Sequence, residues 1–165
     1  MAEVANSKLL EKIEGIQKVK GALVVLVKTE WNAGIVDELE TGCKRVLEQY
    51  NVLSKTIVVP GAVEIPFAVQ QCWANSHAPV AFIALACVIR GDTPHFDYVC
   101  QSVTQGVTQL NLSLEVPTVF GVLTVDNMEQ ANERIGGKHG HKGEEAAITA
   151  LKMMALSQQL KEEKL

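Results

Sequence analysis

Arg90, Gly91, Asp92, Thr93, Pro94 and His95 follow one another directly after an apolar stretch that begins at Val80. A cation, a glycine, an anion, a hydroxyl, a proline and a histidine do little for a core. Leading into a helix, Gly91, Asp92 and Thr93 suit an anion such as phosphate, because the first N–H groups of a helix lack partners and its dipole is positive there. Thr93 adds a hydroxyl donor. The Asp92 carboxylate would repel an anion, so only its N–H is of use. His95, in the first helical turn, is a candidate acid or base. A second concentration, Arg134, Lys138, His139, His141 and Lys142, occupies nine residues near the C-terminus. Arg134 suits bidentate contact with a phosphate. His139 and His141 have no third ligand in sight, so no metal is expected. Two further groups are Trp31 beside Asn32, where an indole could stack on a flat ring, and "PGAVEIP". There Gly61 permits close approach of backbone, and Glu64 stands at a helix start that favours a carboxylate.

Such residues need elements to hold them. The runs Gly21 to Lys28, Lys55 to Val59, Val80 to Ile89 and Thr118 to Thr124 read as strands. Between them, apolar residues recur at helical spacing: Ile35 to Tyr50, Ile65 to Trp73, and Phe96 to Leu114. A short helix is expected from an N-cap at Asp126, then a glycine-rich loop, Gly136 to Gly143, and a last helix to about Leu160. Strand and helix alternate four times, which argues for a three-layer α-β-α sandwich around a four-stranded, mainly parallel sheet. Ligands of open sheets of this kind bind beyond the carboxyl ends of the strands. All the groups named above fall in those turns or follow them.

Composition narrows the function classes. The 165 residues favour one domain, residues 1–165, and 47% hydrophobic with 21% charged residues gives enough for a core. A net charge of −4 provides no global field for nucleic acid, so any anion site is local. No apolar run is long enough to span a membrane, and the first twenty residues hold no apolar signal core. A cytoplasmic protein is expected. Cys43, Cys72, Cys87 and Cys100 form no CxxC pair and read as buried free thiols.

Taken in order, "TEWN", "VPGAVEIP", "ALACVIRGDTPHFDYV", "PTVFGVLTVDNMEQANERIGGKHGHKG" and "EAAITALKMM" resemble the lumazine synthase family from about Gly21 almost to the end. The resemblance implies a flavodoxin-like fold. It also implies a reaction without metal or organic cofactor: condensation of 5-amino-6-(D-ribitylamino)uracil with 3,4-dihydroxy-2-butanone 4-phosphate to 6,7-dimethyl-8-ribityllumazine. By position, Trp31 matches the aromatic that stacks on the pyrimidine, with Asn32 beside it. Ala62, Val63 and Glu64 match the segment binding the pyrimidine and its ribityl chain, and Cys87, Val88 and Ile89 the strand end along the heterocycle. Asp92 and Thr93 match the phosphate-contacting pair, and His95 the proton-transfer residue. Phe120, Arg134 and Lys142 match groups that a neighbouring subunit contributes, with Arg134 on the phosphate.

The resemblance further implies a homo-oligomer, a pentamer and from it a sixty-chain shell, with riboflavin synthase as a pathway partner and residues 1–20 as an extension ordered in part by a neighbour. Trp31 in place of the usual Phe and His141 in place of the usual Asn depart from the family pattern. Two other readings share the scaffold: an archaeal-type riboflavin synthase, which should lack the phosphate site, and a non-catalytic lumazine or flavin carrier.

Overall fold

The β-branched run after Gly21 forms β1 (Leu23–Thr29), and its side chains divide between two cores by simple alternation. Val24 and Leu26 face one way, Val25 and Val27 the other. A computed structural model describes residues 7–163. After β1 come α1 (Ala33–Gln49), β2 (Leu53–Val59), a 3₁₀ turn (Ala62–Glu64), α2 (Ile65–Asn75), β3 (Pro79–Ile89), α3 (His95–Ser113), β4 (Thr118–Val125) and α4 (Met128–Asn132). A small antiparallel pair, β5 (Ile135–Gly137) and β6 (Gly140–His141), leads into α5 (Lys142–Glu163). The order β2-β1-β3-β4, parallel throughout, carries α1 and α5 on one face and α2 and α3 on the other. This is the three-layer sandwich expected, with flavodoxin-like architecture.

The strands do not end level. β1 and β2 finish together, Thr29 opposite Val59. β3 is last paired to β1 at Leu85, opposite Lys28, yet runs on to Ile89 beside β4's Val125. At about 3.3 Å per residue, β3 and β4 stand roughly 10 Å proud of the β1 and β2 ends. The result is a step whose floor is two strand ends and whose wall is the uncovered edge of β3.

Three local expectations need correcting. The cap of α4 is Asn127, not Asp126: its side chain accepts from Gln130 N at 2.9 Å. Residues 136–143 are not a loop throughout but a hairpin and the start of α5, which begins at Lys142. Only Cys43 and Cys87 are buried; Cys72 and Cys100 are half-buried, although all four are free. Of the N-terminal extension, residues 1–6 lie outside the described residues, while Ile13 and Val19 are packed into this chain's own core.

Candidate active site

Three turns meet on the step. Glu30 N donates to Val59 O (2.9 Å) and Trp31 N to Pro60 O (3.4 Å), so the turn after β1 is fastened to the end of β2. The next residue, Asn32, adopts a left-handed conformation (φ 55°, ψ 42°) that asparagine tolerates better than most residues. Its Nδ2 donates to Cys87 O at 2.7 Å. That carbonyl would have received a donor from β1 had the strand continued. Trp31 is thereby held at the floor of the step with 73% of its surface exposed. Gly61 separates it from Glu64: a Cβ there would lie 3.0 Å from Glu64 Oε2 and 3.5 Å from Trp31 Cδ1. Ala62 is buried beneath, and Val63 and Glu64 are exposed.

Cys87, Val88 and Ile89 form the wall. Burial pushes the Cys87 thiol up to about 11, so it stays protonated and inert. Backbone groups alternate along a strand, and Arg90 N bonds to Val125 O on the β4 side. Ile89, like Cys87, therefore turns its N–H and C=O toward the open step. Gly91, Asp92, Thr93 and His95 follow at the top, all exposed. The N-cap of α3 is Pro94, which has no side-chain oxygen to offer, so no side-chain cap occupies the head of a 19-residue helix.

Arg90, which had no role among the expected site residues, braces this turn. Its Nε meets Asp126 at 3.0 Å, its Nη1 meets Asp97 at 3.2 Å, and the guanidinium lies 4.1 Å from the centre of the Phe96 ring. The carboxylates raise its already high pKa, the Asp126 bond contributing most. A cation between an "RGD" strand end and acidic groups at positions 97 and 126 was present in the sequence, but nothing there showed that they meet.

The remaining predicted residues lie elsewhere. Phe120 is half-buried on β4 opposite Ala84, three residues below Cys87 and Leu123, on the α2–α3 side of the sheet. Arg134 is half-buried, its Nη1 donating to Gln130 O at 2.8 Å. Lys142 is 4% exposed, with Nζ 2.9 Å from both oxygens of Glu145. Its backbone N–H donates to Arg134 O at 2.8 Å. The structure thus brings together Trp31, Asn32, Ala62–Glu64 and Cys87–His95, while Arg134 and Lys142 form a second group at the head of α5 and Phe120 lies apart from that group, on the α2–α3 face of β4. A cleft of about 470 Å³ lies far from both groups, between Lys12, Lys18 and the outer side of α5 near Lys152. Among the described residues no cluster of three His, Cys, Asp or Glu side chains is placed to hold a metal.

The sequence profile of the 6,7-dimethyl-8-ribityllumazine synthase family matches residues 21–158, which includes every turn described above. The chain belongs to this family. It is 48% identical over 146 residues to the 6,7-dimethyl-8-ribityllumazine synthase of Porphyromonas gingivalis, covering 87% of this chain and 90% of the relative. The synthase of Parabacteroides distasonis is 47% identical over 135 residues, 80% of this chain and 84% of the relative. That of Bdellovibrio bacteriovorus is 49% identical over 138 residues, 83% and 76%. Lumazine synthase membership makes the step, and not the cleft beside α5, the place to look for chemistry.

Proposed function

We propose that this chain condenses 5-amino-6-(D-ribitylamino)uracil with 3,4-dihydroxy-2-butanone 4-phosphate in the cytoplasm, as a lumazine synthase, with riboflavin synthase consuming the product. The observation that carries the proposal is the step itself: an exposed indole, an open strand edge and an uncapped helix head arranged in that order. Trp31 stacks on the pyrimidine face. The free N–H and C=O of Ile89 read its edge, and Ala62–Glu64 take the ribityl chain. Thr93 and the N–H groups of residues 92 and 93 hold the phosphate, with the Asp92 carboxylate turned away. Arg134 of a neighbouring subunit supplies the cation, and its Phe120 closes the heterocycle side. Lys142, enclosed with Glu145 in its own chain, fixes the carbonyl end of Arg134 and so contributes to the phosphate site through position.

The reaction adds an amine to a ketone, loses water, eliminates phosphate and closes a ring. Each step moves a proton, and His95, exposed beside the phosphate turn, is within the first helical turn that would carry it. Phosphate departure is aided by fixed donors and the arginine. Holding two substrates in register supplies much of the remainder.

Incubating the purified protein with both substrates and following lumazine absorbance tests the activity. In the same assay, Arg134→Ala is expected to weaken apparent affinity for the butanone phosphate about 10- to 100-fold, the worth of a charge-assisted pair. Affinity for the pyrimidine, which has no phosphate, should be unchanged. Equal weakening of both substrates would make Arg134 structural.

A further inference from the structure

We infer that Asn32 is a positioning residue that sets which part of the β3 edge a heterocycle can read, and so determines specificity for the pyrimidine. The inference rests on the activity proposed above. β3 offers two backbone stations on the open step, at Cys87 and at Ile89. The Asn32 amide, 2.7 Å from Cys87 O, occupies the lower acceptor. A flat ring lying on Trp31 is then left with one register, at Ile89. The same bond fixes the height of the floor. Asn32 is the residue after Trp31, and its carbonyl accepts the N–H groups of Ile35 and Val36 at 3.0 and 3.1 Å, which starts α1. Its left-handed backbone turns the chain so that the indole projects from the step while the amide reaches the wall. One side chain therefore ties together the floor, the wall and the helix behind them.

Backbone shape and amide donor are separable by substitution. Asn32→Gly keeps access to the left-handed conformation and removes the donor. Asn32→Asp keeps the shape and sets an acceptor against the Cys87 carbonyl. Steady-state kinetics on both variants, with thermal melting as the check on folding, should show KM for the pyrimidine raised about three- to ten-fold in Asn32→Gly, the worth of one hydrogen bond. Asn32→Asp should be worse, and KM for the butanone phosphate should stay within about two-fold of the parent. A second measurement needs no substrate. In a Trp73→Phe background, where Trp31 is the sole tryptophan, the Asn32→Gly change should lower Trp31 fluorescence anisotropy. Parental pyrimidine KM together with parental anisotropy would overturn the inference. So would a rise in both KM values in step with a fall in melting temperature. If the unsubstituted protein fails to turn over these substrates, the proposed activity falls, while the anisotropy still decides whether Asn32 holds Trp31.

Discussion

At the residue scale, the charged groups of this chain do two kinds of work, and titration distinguishes them. Glu40 of α1 is buried between Lys28 (2.5 Å), Lys44 (2.6 Å) and Thr56 Oγ1 (2.5 Å). Burial alone would raise its pKa, but the bonds from Lys28, Lys44 and Thr56 outweigh it and bring the carboxyl from its ordinary 4.5 down to about 2. A carboxylate whose folded pKa is depressed stabilises the fold fully above its unfolded pKa. That contribution, of the order of 3 kcal/mol, is lost as pH falls from about 4.5 to about 2. Glu40→Gln should therefore melt well below the parent at pH 7, and the gap should shrink by about half as the pH is taken to 3 and go on closing toward pH 2. A gap that stays constant from pH 7 to pH 3 would assign the effect to packing. None of this touches the step, where Arg90 and its two carboxylates act at the surface and hold a turn in place.

At the scale of elements, the four strands and the long helices were legible in the sequence because each spans several periods of its pattern. The ends of the site were less so. β5 and β6 are three and two residues long, too short for alternation to register. Lys142 reads as part of a cationic loop unless α5 is known to begin there; its partner Glu145 is then one turn away. Asn32 and Cys87 are 55 residues apart, and only the unequal strand lengths explain their meeting. The last hairpin is fixed by contacts of the same nonlocal kind. The His141 ring fills the notch left by Gly42 on α1, Cys43 Sγ donates to Gly143 O at 3.0 Å, and Arg45 pairs with Glu144. A Cβ on Gly143 would overlap the Leu39 carbonyl, which is helix backbone and cannot yield. Gly143→Ala should accordingly destabilise by about 1–3 kcal/mol and, by shifting the head of α5, disturb Arg134 through Lys142. Gly34→Ala, with nothing within 4 Å of the new Cβ, is the control and should be neutral or stabilising. Equal melting temperatures for the two variants would mean that α1 and α5 have slack there.

At the scale of the whole molecule, the chain exposes what a lone protomer should cover. Phe67 is 67% exposed, Tyr98 68% and Leu112 78%, all on α2 and α3, and Val63 beside them is 44% exposed. Large apolar side chains left this open on the two helices of one face suit a surface that another chain covers. The position of Phe120 points the same way: it sits on edge strand β4, about 10 Å below the level of Cys87, on the side of the sheet covered by α2 and α3. A pocket that needs both Trp31 and Phe120 is most simply completed by two copies, one giving its step and the other its β4 edge. Contacts of that head-to-tail kind close into a ring when the rotation allows. The family resemblance implies the number five and, beyond the ring, a shell of sixty chains. A ring of five 17.9 kDa chains comes to about 90 kDa and a shell of sixty to about 1,070 kDa, so light scattering separates them cleanly. The expected outcome is hollow spheres in negative-stain images and no activity in any monomer fraction. Phe67→Lys, which places a charge in the apolar α2 surface, should shift the population toward smaller species and lower activity with it. Pentamers alone across buffers and concentrations would rule out the shell. A fully active monomer would rule out the shared pocket, and with it the assignment of Phe120 and Arg134 to a neighbour's site.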